Sequence, residues 1–310
     1  MPFDRPEIFR PPSEAHSYYL PLTSGCSNNT CTFCRYYGGK LQIRDLDEVK
    51  KEIDAVALYI KSGVQLPGIP SIVYAIASQW DRKGVFLQDG DALVYPFEKL
   101  REVLEYLNQK LPMVERVAVY ATGLDILRKS PAELKELREL KLGIVYMGLE
   151  SGDDKVLKKV GKGMTSAQMI EAARRAKQAG ILTSIIYILG LGGAEGSEKH
   201  ALETARVLTE MDPDYVGALT LNLIPDTPIY EEVQQGSFKL VSEFQSLREL
   251  LMIIENSNFT DCFFSSVHPS NYYTVRGRLP GDKDKIVAEL RAIIEKGDQS
   301  VLRPEYLRGL

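Results

Sequence analysis

Apolar and polar positions along the 310 residues follow two alternating rhythms. From about residue 17 to residue 236, short runs that are apolar almost throughout alternate with stretches whose apolar residues recur every three or four positions. The first rhythm suits strands buried on both faces, and the second suits amphipathic helices. Their alternation predicts repeated βα units around a parallel sheet. Six units are expected, with strands at 18–22, 85–88, 116–121, 143–149, 181–189 and 215–224. A helix over 46–60 places Val49, Ile53, Val56, Ala57 and Ile60 on one face. Further helices are expected over 97–107, from Ser130-Pro131 in the N-cap and N1 places, over 165–179 with Gly180 as the stop, and over about 197–211.

Residues 64–84 break the rhythm and read as an insertion. Beyond 237 the pattern loosens into a helix over 242–255, a short apolar run 262–267, a polar aromatic stretch and a last helix over 284–295. The expected architecture is therefore α/β, a partial (β/α)6 barrel of parallel strands over residues 1–236 with a C-terminal α/irregular cap over 237–310. In such architectures chemistry gathers at the C-terminal ends of the strands, so the residues that follow each strand are the ones to examine.

Composition is that of an ordinary globular chain, 44% hydrophobic and 26% charged. A net charge of −4 gives no general attraction to nucleic acid or to an anionic membrane. No apolar run reaches the ~20 residues needed to span a bilayer, and the start, Met1-Pro-Phe-Asp-Arg-Pro-Glu, has no secretory pattern. A cytoplasmic location is expected, and the scarcity of cysteine agrees with a reducing compartment.

Three of the four cysteines lie within nine residues, Cys26-Ser-Asn-Asn-Thr-Cys31-Thr-Phe-Cys34. Soft thiolates so close together read as a metal or iron–sulfur ligand loop. Three thiolates can hold three irons of a [4Fe–4S] cube and leave the fourth open. The C-x4-C-x2-C spacing with the distant Cys262 also matches a closed plant-type [2Fe–2S] centre, which would make the chain an electron carrier. A structural zinc site is a third reading, although such sites want four ligands in close pairs. The open cube is favoured because the long βα pattern and the Gly and acidic residues at strand ends exceed what an electron carrier needs.

Several strand-end elements accompany the loop. Asp89-Gly90-Asp91 follows the second strand, Gly148-Leu-Glu-Ser-Gly152 closes the fourth, Gly190-Leu-Gly-Gly193 follows the fifth, and Ile224-Pro-Asp-Thr-Pro-Ile-Tyr230 follows the sixth. Taken in order with the cysteine loop, they resemble the radical S-adenosylmethionine (radical SAM) superfamily, in the branch of the elongator catalytic subunit, the tRNA methylthiotransferases and oxygen-independent coproporphyrinogen oxidase. The resemblance covers about residues 15–236, and the loop departs from the usual C-x3-C-x2-C by one extra residue before Cys31.

The resemblance implies a [4Fe–4S] cluster on Cys26, Cys31 and Cys34, with Phe33 in the family's aromatic place, and SAM as the second cofactor. Asp89, Gly90 and Asp91 would meet the methionyl amine, Glu150 the ribose or methionyl end, and Gly190 and Gly192 the adenine. It implies reductive cleavage of SAM to a 5′-deoxyadenosyl radical that abstracts hydrogen from a substrate. It also implies oxygen sensitivity and a flavodoxin or ferredoxin-type reductant. The absence of room for a cobalamin domain and of cysteines for a second cluster argues against cobalamin-dependent methylation and sulfur insertion. A small-molecule substrate is expected over nucleic acid, with tRNA modification as the alternative. Substrate recognition is expected from the tail residues His268, Asn271, Tyr272, Tyr273, Arg276 and Arg278, which mix donors, aromatics and positive charge. Cys262 is a candidate hydrogen-atom donor or radical relay, or else buried filler. His200 reads as a solvated helix residue and His16 as a packing residue.

Overall fold

The computed structural model describes residues 3–35 and 40–309. The chain folds as two compact units, the first made of 1–29, 37–146 and 175–182, the second of 30–36, 147–174 and 183–310. The architecture is α/β with a mostly parallel sheet, and all six expected strands form.

In the first unit the elements run β1 (Tyr18–Pro21), β2 (Thr23–Ser24), β3 (Gln42–Ile43), α1 (Leu46–Ser62), α2 (Ser71–Gln79), β4 (Gly84–Gln88), α3 (Phe97–Lys110), β5 (Arg116–Ala121), α4 (Gly123–Leu127) and α5 (Pro131–Glu139). Strand β6 (Leu142–Glu150) passes into the second unit after Tyr146. The order is β1-β4-β5-β6, with Tyr18 opposite Val85 and Val85 opposite Val117 in parallel register. Strands β1 and β4 are buried along their whole length, which explains why they carry no polar alternation. Asp45 caps α1 by accepting the Asp47 N–H, and left-handed Gly63 ends it. Capping boxes start α4 at Thr122 and Asp125 and α5 at Ser130 and Glu133. Helix α1 packs on α2 and α3, and α3 packs on α5.

The expected insertion at 64–84 holds α2, whose Val73, Tyr74, Ile76 and Ala77 are buried and which packs on β1 and α1. Its surrounding prolines and Gly68 hide a helix too short to show its period from sequence.

A buried ion cluster ties the lead-in to this unit. Glu52 of α1 is almost fully enclosed, pairs with Arg5 at 2.8 Å and Arg44 at 2.7 Å, and accepts the Tyr18 hydroxyl at 2.6 Å. Burial works to raise the Glu52 carboxyl, but the hydrogen bonds and charge of Arg5, with Arg44, outweigh it and hold the group below the ordinary range.

In the second unit follow α6 (Asp154–Lys159), α7 (Ser166–Gln178) as far as Arg174, β7 (Leu182–Leu189) from Thr183 on, α8 (Gly193–Met211), β8 (Tyr215–Thr220), α9 (Pro228–Gln234), α10 (Glu243–Asn256), β9 (Cys262–Ser265), β10 (Arg276–Leu279) and α11 (Lys283–Lys296). The order is β7-β8-β9-β10; β9 pairs parallel to β8, and β10 closes the order antiparallel to β9. Helix α10 packs on α8 and α11. The break expected near residue 236 thus lies inside a compact unit, where β9 and β10 extend the same sheet. Strand β8 stops at Thr220, four residues before the expected end, and the Thr220 N–H goes to Ser270 Oγ at 3.1 Å. Among the described residues no helix is long and apolar enough to cross a membrane.

Replacing Glu52 by Gln leaves two buried guanidinium groups without their counter-charge, and a loss of about 3–5 kcal/mol is expected in urea unfolding. Because the folded-state group is held low, its contribution is present at neutral pH and disappears as pH falls through its depressed pKa. A variant with wild-type stability at pH 7 would contradict this role.

Candidate active site at the strand ends

The cysteine loop crosses from the first unit to the second between Asn29 and Thr30, so Cys26 is fixed by contacts of one and Cys31 and Cys34 by contacts of the other. All three thiols are half-exposed.

In the first unit, Cys26 stands between two backbone amides that donate to carboxylates at the end of β4. The Gly25 N–H donates to Asp89 Oδ2 and the Ser27 N–H to Asp91 Oδ2, both at 3.0 Å. Asp89 in turn donates its N–H to Thr23 Oγ1 at 3.1 Å. Both acids are buried. Burial raises Asp89 to about 6, against the pull of the Gly25 and Gly90 amides. Burial raises Asp91 to about 7, with the Ser27 hydrogen bond opposing and the charges of Asp125 and Asp89 adding to it. Asp91 Oδ1 is enclosed and has no partner among the described residues.

In the second unit, the Thr32 N–H donates to Val160 C=O at 2.9 Å, Thr32 C=O accepts the Ile229 N–H at 3.1 Å, and Thr30 Oγ1 donates to Gly161 C=O at 2.7 Å. The turn after α6 and the start of α9 therefore grip the loop from two sides. Gly161 has φ +68, and a Cβ there would lie 2.4 Å from Thr30 C=O, so only glycine allows the turn this close. Phe33 packs against the apolar cluster of Val160, Leu191, Leu221, Ile229 and Phe238. Arg35 pairs with Asp226 at 3.3 Å.

Glu150, the last residue of β6, adopts φ +65, a left-handed backbone that a non-glycine residue holds only when its surroundings impose it. Its carboxylate pairs with Lys162 at 2.8 Å, and both side chains are mostly enclosed. A Cβ on Gly148 would lie 2.1 Å from Glu150 Oε1, so this glycine clears space for the pair. Ser151 Oγ contacts His200 Nδ1 at 2.8 Å, and His200 Nε2 contacts Ile188 C=O at 3.1 Å. The carbonyl requires a proton on Nε2, so Nδ1 accepts from the serine. The imidazole is wholly buried, and burial lowers it to about 4 against the raising effect of the Ile188 carbonyl. Gly190 ends β7 and donates its N–H to Glu249 Oε2 at 2.6 Å. Burial raises the Glu249 carboxyl to about 7, with Ser197 and Gly190 pulling it down.

The sequence model of the radical SAM superfamily matches residues 20–205. The chain belongs to the radical SAM superfamily. This radical SAM chain is 24% identical over 218 residues to a provisionally named methylthiotransferase of Methanocaldococcus jannaschii, covering 69% of the chain and 44% of that protein. It is 23% identical over 212 residues to the heme chaperone HemW of Bacillus subtilis, covering 64% and 55%. The chain thus spans about half the length of the curated relatives it matches. Among solved structures, coproporphyrinogen III oxidase (HemN) of Escherichia coli superposes with TM-score 0.53 at 16% identity, covering 77% of this chain and 51% of that one. The methyltransferase TsrM of Kitasatospora setae gives 0.54 at 17%, covering 71% and 39%. The fold is the partial-barrel type of that superfamily.

Radical SAM proteins use a [4Fe–4S] cluster and SAM. The residues present fit both: the loop offers three soft thiol donors, and the partnerless Asp91 Oδ1 suits a cationic amine. Among the described residues no group of three or more His, Cys, Asp or Glu side chains converges as a metal-ion site.

Most of the tail residues are engaged within the fold. Asn271 is buried and donates to Ala218 C=O at 2.7 Å and Ser266 C=O at 2.6 Å while accepting the Thr220 hydroxyl at 2.8 Å, so it staples the sheet. Tyr272 is held by Glu305 and Arg308, Tyr273 by Glu289, and Arg278 by Asp261. His268 Nδ1 faces Ser270 Oγ at 2.8 Å, and Arg276 is exposed on β10. Cys262 is buried at the start of β9, opposite Leu279, at the far end of the strands from Thr220. Burial pushes its thiol up to about 12 and keeps it protonated. His200 is buried and His16 exposed, the reverse of both expectations. Lys162, Glu249 and the Ser151–His200 contact are not among the residues expected from sequence; the glycines on either side of Lys162 are the only local signal for it, and Glu249 carries none.

Gly161→Ala is expected to cost about 1–3 kcal/mol through left-handed strain and to lower iron and sulfide per chain after reconstitution with an unchanged far-UV spectrum. Full iron loading would count against the loop grip. Because His200 is depressed from 6.5 to about 4, the stability it supports is complete above about pH 6.5 and lost as pH falls towards 4. Between pH 7 and pH 5, His200→Gln is expected to remove about 2 kcal/mol of the wild-type fall in unfolding free energy. An identical pH slope in both proteins would refute it.

Proposed function

We propose that the protein is an enzyme that reductively cleaves SAM and directs the resulting hydrogen abstraction at a small organic molecule. The observation that carries the reading is the cysteine loop beside two buried acids, one with an enclosed oxygen that has no partner among the described residues. In this reading Cys26, Cys31 and Cys34 hold the cluster. Asp91 and Asp89, with Gly90 between them, receive the methionyl amine, Glu150 and its Lys162 partner border the ribose or methionyl end, and the Gly190–Gly192 turn lies along the adenine. A cluster held there would supply the one electron for reductive cleavage of the sulfonium C–S bond, and the adenosyl fragment so released would take a hydrogen atom from the substrate.

The chain's own contribution is placement. Buried acceptors fix the backbone on both sides of Cys26, Phe33 anchors the distal half of the loop in an apolar cluster, and enclosure strengthens each charge–charge contact. A flavodoxin or ferredoxin-type protein is proposed as the electron donor, in a reducing cytoplasm. The acidic balance of the chain supports a small molecule over nucleic acid. The resemblance of the strand-end elements to the tRNA methylthiotransferase branch makes tRNA modification the second reading.

Anaerobic reconstitution followed by dithionite and SAM tests the proposal. Release of 5′-deoxyadenosine is expected from the wild type, with loss of at least ~100-fold in the Cys26→Ala, Cys31→Ala, Cys34→Ala triple variant. Absence of the nucleoside together with a [2Fe–2S] EPR signal would replace the enzyme by an electron carrier. Salt-sensitive binding of bulk tRNA would move the substrate to nucleic acid.

A further inference from the structure

Glycine 190 ends β7 in a left-handed turn, and its N–H has left the strand ladder. The acceptor comes from 59 residues further along the chain: Glu249 of α10 takes this N–H at 2.6 Å through Oε2 and the Ser197 hydroxyl at 2.5 Å through Oε1. One helical turn earlier, Gln245 Nε2 donates to Ala194 C=O at 2.8 Å. Helix α10 therefore grips the segment 190–197 at two points. The acid nearest in sequence, Glu195, plays no part; its side chain is 83% exposed and pairs with Lys239.

The grip is an expensive one. Glu249 is wholly buried, and the charged or titratable groups facing it do not neutralise it. His200 of α8 lies 4.0 Å away but spends its Nε2 proton on Ile188 C=O. Tyr187 of β7 is buried with a hydroxyl that has no partner among the described residues. An apolar residue would pack there without that cost, so the carboxylate is kept for what it holds.

We propose that Glu249 is a positioning residue for SAM: from the C-terminal extension it sets the shape of the Gly190–Gly193 turn that receives the adenosyl group. The proposal rests on the reading of that turn as the adenine contact. It makes cofactor affinity, rather than cluster assembly, depend on a residue outside the segment matched by the superfamily, which ends at 205.

The test is anaerobic equilibrium dialysis of SAM against the reconstituted, oxidised holoenzyme, which binds without turnover. Glu249→Ala leaves a buried amide without its acceptor and is expected to weaken SAM binding roughly 10- to 100-fold with iron per chain unchanged. Glu249→Gln keeps an amide oxygen for Gly190 and a donor for Ser197, and is expected to stay within about 3-fold of the wild type. With SAM varied in the dithionite-driven release of 5′-deoxyadenosine, Glu249→Ala is expected to show a raised KM for SAM with a near-normal kcat. Should Glu249→Ala fail to fold, Gln245→Ala loosens the same segment from the same helix and is expected to weaken binding roughly 3- to 10-fold. Wild-type affinity in Glu249→Ala, or in Gln245→Ala where the first variant is unfolded, overturns the proposal. A wild-type holoenzyme that does not bind SAM instead overturns the underlying reading of the turn.

Discussion

A backbone N–H just past the end of a parallel strand has left the ladder, and once buried it needs another acceptor or costs about 1–3 kcal/mol. Among the described residues, the Gly190 N–H just past β7 is such an amide and goes to Glu249, and in the loop after the short antiparallel strand β2 the Gly25 and Ser27 N–H groups go to Asp89 and Asp91. Burial raises Asp89 to about 6 and Asp91 and Glu249 to about 7, so near neutral pH these acceptors pass between neutral and ionised forms, and their hydrogen bonds are stronger when ionised. The loops they hold are therefore fixed most firmly above that range.

The two units use the device differently. In the first, the acids follow β4 directly, so strand formation itself delivers them to the cysteine loop. In the second, the acceptor arrives only when α10 has packed on α8. Glu150 adds a third arrangement, a left-handed residue whose carboxylate is satisfied by Lys162 from the turn after α6. In that same turn Gly161 C=O accepts the Thr30 hydroxyl of the cysteine loop and Val160 C=O accepts the Thr32 N–H. One short segment, Val160 to Lys162, thus couples the placement of Glu150 to that of Thr30 and Thr32.

Much of the fold was legible because its strands are buried on both faces and its main helices are capped by local sequence. Ser130-Pro131 and Gly180 announce their helix ends, and the apolar runs at 116–121 and 142–150 stand out without help. Helix α2 did not, because nine residues between proline-rich borders give too few turns to show a period. Strand β10 did not, because Arg-Gly-Arg-Leu alternates burial with a glycine on the inner face, where no apolar side chain marks it. At the site, the acids and glycines next to strands were visible in sequence. Glu249 and His200 were not, because their roles depend on partners 59 and 49 residues away. In the tail, the hydrogen bonds that engage Asn271, Tyr272, Tyr273 and Arg278 within the fold were likewise not legible, because their partners lie on other elements.

Arg276 and Arg278 acquire a different meaning from their strand. They alternate with buried Gly277 and Leu279 on β10, the last strand in its order, and so line the sheet's open border with outward-pointing cations. A bare strand border is a template on which another chain can lay down a strand of its own. The strand offers such a partner only four residues, with Arg276 exposed on it and Arg278 already paired with Asp261, so the border presents little length and a fixed charge pair where a longer, apolar strand would invite extension.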